Sequence, residues 1–439
     1  MIDIRQMLWG DHVRRSTTIM AVLFVFAAIV CLVVVYSAGI ETEVIRDRFW
    51  KNAEPLFNGE FPVMEYPPLA ILFIALPRFF GSTPWSYEVA YVAEVCVFVI
   101  IGLVLVSRIA KLFGKNRVAA MMAYSILAVL MIEFVLDRFD IFAMVIVLAS
   151  ALMLLEKRYN WAFALLAVGI LVKVYPAVLF PVYLIFLVRG GKVREGLVGT
   201  LVMALIGLST VAVCWIIDPH IITNFLSYNT GRPLQIEAAA SSVIYFLGQL
   251  GLTDVWIQPA SAESFWSDNL RGPLADQVAD LLLPLMVVCV VAVSTFYLFV
   301  RMRGARDDCM QTASLAIVAC ILVFFLTNKV FSSQYLIWLI GPLVVAIMLQ
   351  DEGFGRRLFH LTAVAMILVQ ANFAYSCGYL GGGADINAIG MALVLVKNLV
   401  LGYMFVLVLR RMVGMTRPDA SACCDSAGSA TVFGNSDRT

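Results

Sequence analysis

Long apolar runs alternate with short polar connections along almost the whole chain. A helix needs about 20 apolar residues to cross a bilayer, and lipid-exposed backbone must satisfy its own hydrogen bonds. The pattern therefore predicts an all-α polytopic membrane protein with about twelve transmembrane helices. Their predicted bounds are 17–38, 86–107, 118–136, 139–155, 159–174, 175–188, 196–217, 279–300, 311–328, 334–349, 358–376 and 388–409.

Basic residues are concentrated in every second connection between these segments. Lysine and arginine are enriched in cytoplasmic connections, so the pattern predicts that both termini are cytoplasmic. The basic residues on this inner side are Arg14, Arg15, Arg108, Lys111, Lys115, Arg117, Lys157, Arg158, Arg189, Lys192, Arg194, Arg301, Arg303, Arg306, Arg356, Arg357, Arg410 and Arg411.

Two predicted outer connections are long, at 39–85 and 218–278. The first contains an apolar stretch, 67–77, that is too short to span and is expected to lie in the outer interface. We interpret residues 1–411 as a single transmembrane domain. The small polar residues of 412–439 predict a disordered cytoplasmic tail.

The composition agrees with membrane embedding and excludes other classes. Hydrophobic residues make up 62% of the chain and charged residues 14%, against about 45–50% and 25% in soluble proteins. A balance of 31 Lys+Arg against 30 Asp+Glu provides no positive field for nucleic acid. Nine scattered cysteines argue against a disulfide framework, and three distant histidines against a His-rich metal site.

Polar residues far apart in sequence all fall on the predicted outer side. They form clusters at 46–50 with 58–68, 137–140, 173–176, 232–237 and 328–335. Burying ionisable groups at membrane depth is costly, so such groups point to function, and we predict one composite site. Three alternatives stay open: Asp137–Asp140 as a solvated turn with a local ion pair, Lys173 extending to the surface, and Lys397 balanced by an acidic residue that the sequence does not identify.

Several of these segments resemble a known group of enzymes. Gly59-x-x-Pro62 followed by Glu65-Tyr66-Pro67-Pro68-Leu69-Ala70 resembles the first outer loop of GT-C glycosyltransferases, especially glycosyltransferase family 87. That family includes polyprenyl-phosphomannose-dependent α-mannosyltransferases. Residues 232–237 are similar to its "RxxQxES" segment, with Ala238 where serine is usual. Residues 173–176 and 328–338 are similar to the "KxYP" and "NKxxxSQYxxW" segments of the GPI mannosyltransferase I catalytic subunit.

The resemblance implies transfer of a hexose, with mannose favoured, from a polyprenyl-phosphate donor to a lipid or glycan acceptor at the outer membrane face. It places the general base at Asp47, with Glu65 as the strongest rival. A carboxylate near the attacking hydroxyl can accept its proton, and a single displacement would invert the anomeric centre. The expected compartment is a prokaryotic plasma membrane.

The same resemblance assigns cations to the donor phosphate, because negative charge develops on it as it leaves. The expected phosphate-binding residues are Arg232, Lys329 and Lys173, with Arg138 as a weaker candidate. The expected substrate-positioning residues are Tyr66, Tyr175, Glu237, Gln334 and Tyr335. The first loop has Glu41-Thr42-Glu43 where the GPI enzyme has Asp-x-Asp, so no metal or other cofactor is expected.

Two other function classes remain open on the sequence. Twelve spans with both termini inside also suit a secondary transporter, although transporters usually bind their substrate near the membrane midplane on broken helices. A flippase or polymerase of lipid-linked saccharides would share the substrate class but not the reaction.

Overall fold

The computed structural model describes residues 15–16, 18–20, 23–24, 44–62, 64–261, 263–300, 306–376 and 387–415, with backbone alone for residues 44, 46, 47 and 306–308. A turn of π-helix, Val44–Trp50, leads into the first α-helices. These are α1 Lys51–Phe57, α2 Ile71–Ala75, α3 Pro84–Leu112, α4 Arg117–Leu130, α5 Ile132–Asp137, α6 Asp140–Leu155, α7 Tyr159–Val172, α8 Phe180–Arg189 and α9 Val193–Ile217.

The second half begins with the long connecting segment that follows α9. Its elements are α10 His220–Gly231, β1 Leu234–Gln235, α11 Ala239–Gln249, β2 Trp256–Gln258 and β3 Asn269–Arg271. The remaining helices are α12 Pro273–Phe299, α13 Arg306–Thr327, α14 Ile337–Leu349, α15 Glu352–Ser376 and α16 Ala388–Gly414. Short 3₁₀ turns at Pro68–Ala70, Leu76–Phe79, Tyr175–Leu179 and Ser333–Leu336 connect several of them.

Helices occupy every predicted span from residue 86 onward. Among the described residues, six helices are long and apolar enough to cross a membrane: α3, α9, α12, the 309–327 part of α13, α15 and α16. The protein is therefore a helical membrane protein. The predicted span at 17–38 lies largely outside the described residues.

Five predicted spans correspond to shorter helices, so the number twelve stays a prediction. Two of these segments are visibly interrupted. The 118–136 segment divides at Met131, between α4 and α5. The 175–188 segment begins as a 3₁₀ turn with Pro176 near its start, and α8 follows. Proline fixes its own backbone φ and cannot donate a backbone hydrogen bond, which favours such irregular starts.

The centre of the bundle is formed by α6, α13 and α14. Nearly every side chain of α14 is buried, as are most of those of α6. In contrast, α9 exposes leucines along most of its length, among them Leu197, Leu201 and Leu208. A helix with an apolar exposed surface of this kind is suited to contact with lipid.

The long connection after α9 folds around a small antiparallel sheet in the order β1-β3-β2. Leu234 pairs with Leu270, and Trp256 pairs with Arg271. The all-α prediction did not include this sheet. Its strands have only two or three residues, which is too short for an alternating hydrophobic pattern to reveal.

The 67–77 stretch is helical but bent, comprising Pro68–Ala70, α2 and Leu76–Phe79. Ile71 and Ile74 are buried against the bundle, whereas Leu72 and Phe79 are exposed. One buried side and one exposed side are compatible with the predicted interfacial segment. The stretch is also too short to cross a membrane by itself.

Candidate active site

A cavity of about 1600 Å³ lies at one end of the helical bundle. The ends of α7, α13 and α15 and the beginnings of α6 and α16 contribute to its wall. Nine of the predicted site residues line it: Glu65, Tyr66, Lys173, Tyr175, Arg232, Glu237, Lys329, Gln334 and Tyr335. Segments far apart in sequence thus meet around one space. The chemical roles of these residues stay predictions.

Asp140 and Lys173 form a buried ion pair in the cavity wall. The side chain of Asp140 is 1% exposed and that of Lys173 is 13% exposed, with Lys173 Nζ 3.2 Å from Asp140 Oδ1. Trp338 Nε1 donates a hydrogen bond of 2.6 Å to the same carboxylate oxygen. One buried carboxylate therefore joins the 137–140, 173–176 and 328–338 segments.

Aromatic rings surround the Lys173 ammonium on several sides. Its Nζ is 4.4 Å from the ring centroid of Phe139, 5.6 Å from those of Tyr66 and Tyr335, and 5.8 Å from that of Trp338. Cation–π attraction strengthens when the cation is shielded from water. This arrangement shows that the alternative in which Lys173 extends to the surface is wrong.

The backbone explains how Lys173 enters the cavity. Lys173 follows the last residue of α7 in an extended conformation, with φ −151° and ψ 136°. Tyr175 stacks on Trp338 at a centroid distance of 4.2 Å, and Tyr335 stacks on Trp338 at 4.0 Å. Trp338 therefore fixes both the aromatic wall and the carboxylate that faces Lys173.

Of the solvated-turn alternative for 137–140, only the local ion pair is present, because Asp137 Oδ1 is buried. Arg138 and Asp137 form a local ion pair, and Arg138 also lines the cavity. Asp140 does not belong to a solvated turn, because its carboxylate is buried and shared between Lys173 and Trp338.

Arg232 stands where α10 ends and the chain becomes extended. Its Nη2 donates a 3.2 Å hydrogen bond to Ser267 Oγ, and its guanidinium lies 5.7 Å from the centroid of the Tyr228 ring. Its Nε is buried and has no hydrogen-bond partner among the described residues. A buried donor without a partner is unfavourable, so a hydrogen bond from this N–H to an anionic ligand would relieve that cost.

Lys329 connects its own loop, 328–335, to the segment around Thr230 and Gln235. Its Nζ donates to the Thr230 carbonyl at 2.8 Å, and its backbone carbonyl accepts from the Gln235 N–H at 2.9 Å. Burial lowers the pKa of Lys329; Asp280 opposes that shift and Arg232 adds to it. Lys329 therefore loses its charge at a lower pH than an ordinary lysine.

Glu237 has neutral hydrogen-bond partners. Its Oε1 accepts from Ser333 Oγ at 2.7 Å and from Asn372 Nδ2 at 3.4 Å. Lys397, only 3% exposed, donates from Nζ to the backbone carbonyl of Glu237 at 3.0 Å. Its Nζ also lies 3.6 Å from the centroid of the Phe331 ring. The hydrogen-bond partner of this buried lysine is thus a backbone carbonyl, and the charge of the Glu237 side chain also acts on the ammonium. Glu237 is therefore the acidic residue that the sequence left unidentified.

Glu65 and Tyr66 form another part of the cavity wall. Arg48 Nη1 is 3.7 Å from Glu65 Oε1, and Asn229 Nδ2 donates to the Glu65 carbonyl at 3.1 Å. Burial raises the pKa of Tyr66, and the neighbouring Glu65 raises it further. The phenol of Tyr66 is therefore a neutral hydrogen-bonding group rather than a base.

Asp47, the first-ranked base, lies within the π-helical turn Val44–Trp50, but its side chain is outside the part that the structure describes. Its role stays a prediction. Arg48, the next residue, lines the cavity; the sequence placed it in the 46–50 cluster of the predicted site but assigned it no chemical role.

Sequence reasoning also missed the connecting role of Trp338 and the participation of Asn372. Trp338 is the last residue of the 328–338 segment that resembles the GPI mannosyltransferase I subunit, so the resemblance could have indicated that Trp338 belongs to the site. Asn372 is one polar residue within the apolar helix α15. Its side chain acquires significance only from its contact with Glu237.

A turn at 263–267 contributes an unusual backbone feature to the cavity wall. Phe265 has φ 60° and Trp266 has φ 53°, and the left-handed conformation costs a residue with a side chain about 1–2 kcal/mol. Both residues line the cavity. Strained residues persist where the surrounding structure holds them, and they cluster at functional sites.

Comparison with known proteins identifies a matching family. Residues 65–328 match the family model of glycosyltransferase family 87, which covers more than half of the chain. No curated protein matches the chain.

Proposed function

The chain belongs to glycosyltransferase family 87 and is a membrane-embedded glycosyltransferase, and we propose that its donor is a polyprenyl-phosphate hexose. The proposed acceptor is a hydroxyl of a lipid or glycan at the outer membrane face. The observation that carries the proposal is the juxtaposition of Arg232 and Lys329 in a cavity that Glu65 also lines.

The two cations suit a phosphate leaving group. Arg232 has an unpartnered buried Nε–H among the described residues, and guanidinium can bind phosphate through two parallel hydrogen bonds. Lys329 adds a second positive charge, held in place through the Thr230 carbonyl. Lys173 is less available to the phosphate, because Asp140 already balances its charge.

An apolar wall of the same cavity suits the hydrocarbon part of such a donor. It is formed by residues of α9, α10 and α12: Val211, Ile222, Leu226, Leu283 and Met286. Val211 and Leu283 are exposed, so a prenyl chain in contact with them would extend toward lipid. Contact of this kind removes apolar surface from water.

The proposed reaction is a single displacement. The acceptor oxygen attacks the anomeric carbon, a new C–O bond forms, and the bond from that carbon to the phosphate oxygen breaks. The electron pair of the broken bond remains on the polyprenyl phosphate, near Arg232 and Lys329. The hydroxyl proton passes to a carboxylate, for which we propose Asp47 first and Glu65 as the rival.

Two finer features belong to the same proposal. The resemblance in the first outer loop favours mannose as the hexose, with inversion at the anomeric centre. We also propose that no divalent metal takes part, because Arg232 and Lys329 can neutralise the leaving phosphate directly.

The test uses the full chain reconstituted in liposomes. The liposomes receive polyprenyl-phosphate mannose, polyprenyl-phosphate glucose or a nucleotide-linked mannose, together with a total membrane lipid extract as acceptor. We expect mass spectrometry to detect one added hexose and released polyprenyl phosphate with a lipid-linked donor only. Equal use of the nucleotide-linked donor would contradict the proposed donor class. Solute uptake without any transfer would favour the transporter alternative.

A further inference from the structure

The turn at 263–267 holds two bulky residues in a conformation that is rare for them. Phe265 and Trp266 are consecutive, and both have positive φ. Glycine normally occupies such positions because its missing Cβ avoids the steric conflict. A chain that places two aromatic residues there gains something from their side chains.

Hydrogen bonds of buried polar groups maintain this turn. Ser264 Oγ donates to the Pro259 carbonyl at 2.7 Å, and Asn269 Nδ2 donates to the carbonyls of Ser264 and Ser267, each at 2.9 Å. Ser264 and Asn269 are fully buried. The Trp266 N–H also donates to the Ser261 carbonyl at 2.8 Å. The turn is therefore a rigid support.

Phe265 and Trp266 have different surroundings. The Phe265 ring packs edge-on against Tyr228 at a centroid distance of 5.1 Å, and its carbonyl accepts from the Tyr228 hydroxyl. Trp266 is 61% exposed while it lines the cavity. Its ring makes no aromatic contact within the described part of the chain. The fold thus presents an indole surface to the cavity.

We propose that Trp266 is the stacking surface of a saccharide-binding subsite for the acceptor. This inference rests on the proposed function. The C–H groups of a sugar ring form an apolar face that can cover the indole, while its hydroxyls need polar partners. Asn229, Thr230 and Asp268 line the cavity as well and supply such groups. Binding sites commonly combine aromatic surface with a few polar groups in this way.

The surroundings of the indole favour a saccharide over the bilayer. Tryptophan is also common at membrane interfaces, but the segment around Trp266 also contains the polar residues Ser261, Glu263 and Asp268. Arg232, the proposed phosphate ligand, bonds to Ser267 of the same turn. The subsite therefore adjoins the place where the donor phosphate is expected.

The experiment compares acceptors with and without a sugar ring. The reconstituted enzyme receives polyprenyl-phosphate mannose and, as acceptors, methyl glycosides of mannose, glucose and galactose, or glycerol. We expect wild type to prefer at least one methyl glycoside to glycerol. Trp266→Ala should raise the KM for that glycoside about tenfold and Trp266→Phe about threefold, with the donor KM changed less than about twofold.

Trp256→Ala is the matched control, since Trp256 is an exposed tryptophan of the same segment that does not line the cavity; its kinetics should equal those of wild type. An unchanged acceptor KM in Trp266→Ala, or equal use of glycerol and glycosides by wild type, would overturn the subsite. Stronger quenching of wild type than of Trp266→Phe by brominated lipids would assign the indole to the bilayer instead. Absence of polyprenyl phosphate release both with these acceptors and with the total membrane lipid extract would refute the proposed function itself.

Discussion

Replacing Asp140 by asparagine tests the buried ion pair at the centre of the cavity wall. Asparagine has nearly the same shape, and its carbonyl can still accept from Trp338 Nε1, which lies 2.6 Å from the present carboxylate oxygen. The change removes only the charge that faces Lys173, 3.2 Å away. The ammonium is then buried among aromatic rings without a counter-ion.

The expected cost follows from the burial of both partners. Removing one member of a buried pair typically destabilises a protein by about 3–5 kcal/mol. With an unfolding entropy of about 2 cal/mol/K per residue, the 439 residues give about 0.9 kcal/mol/K. Asp140→Asn should therefore lower Tm by about 3–6 °C.

The double variant Asp140→Asn/Lys173→Met separates charge from packing. Because it removes both charges, it should lose less stability than Asp140→Asn alone. The assay is thermal unfolding in detergent followed by tryptophan fluorescence. Glu195→Gln is the control, because the side chains of Glu195 and its ion-pair partner Lys192 are both exposed. Exposed ion pairs contribute about 0–1 kcal/mol to the free energy of unfolding. A Tm of Asp140→Asn within about 1 °C of wild type, or additive losses in the double variant, would show that Asp140 does not stabilise the buried ammonium.

Four further predictions concern the reaction. Asp47→Asn should reduce kcat by about 10²–10⁴-fold at a normal protein level, because the proposed proton acceptor is lost; initial rates in liposomes measure this. Arg232→Ala should lower kcat/KM for the lipid-linked donor by about 10–100-fold, the effect of a lost charged hydrogen bond, as measured by donor titration. The donor KM should rise at alkaline pH as Lys329 loses its charge. This rise should begin at a lower pH than for an ordinary lysine, because burial lowers the pKa of Lys329. In Lys329→Arg, the pH profile of the donor KM should show the alkaline rise moved to higher pH. Activity should survive treatment with EDTA, as measured by transfer before and after chelation.

Each of these predictions has a result that opposes it. Near wild-type turnover of Asp47→Asn, with a large loss in Glu65→Gln, would assign the base to Glu65. An unchanged donor KM and kcat in Arg232→Ala would show that Arg232 does not bind the donor phosphate. An identical alkaline limb in wild type and Lys329→Arg would exclude Lys329 as its source. Complete loss of activity with EDTA, reversed by adding a divalent cation, would establish metal dependence.

Sequence periodicity located the helices because an apolar run of about 20 residues has the length that a membrane-spanning helix requires. It could not locate breaks inside a run. Met131 is as apolar as its neighbours, yet α4 ends just before it and α5 begins just after it. The count of spans depends on such interruptions, whereas the helical class does not. The sheet was missed because its strands span only two or three residues.

The candidate site was partly predictable, because polar residues stand out against an apolar background. Arg232, Lys329 and Glu237 were chosen in this way, and they line one cavity. The predicted spans placed Asp140 and Lys173 on the same side, but the sequence does not show which side chains at neighbouring helix ends face each other, so their pairing was not predictable. The exposure of Trp266 likewise depends on a turn conformation that its serine-rich sequence does not reveal.

The proposed function depends above all on Arg232 and Lys329 holding the phosphate of a lipid-linked donor inside the cavity. A cryo-EM structure of the full chain in nanodiscs, with a polyprenyl-phosphonate hexose analogue that cannot react, would show this contact or its absence. We expect phosphonate density in contact with both cations, and the hexose on the side of the cavity that Glu65 lines. Density for the phosphonate outside this cavity, or away from both cations, would contradict the proposal.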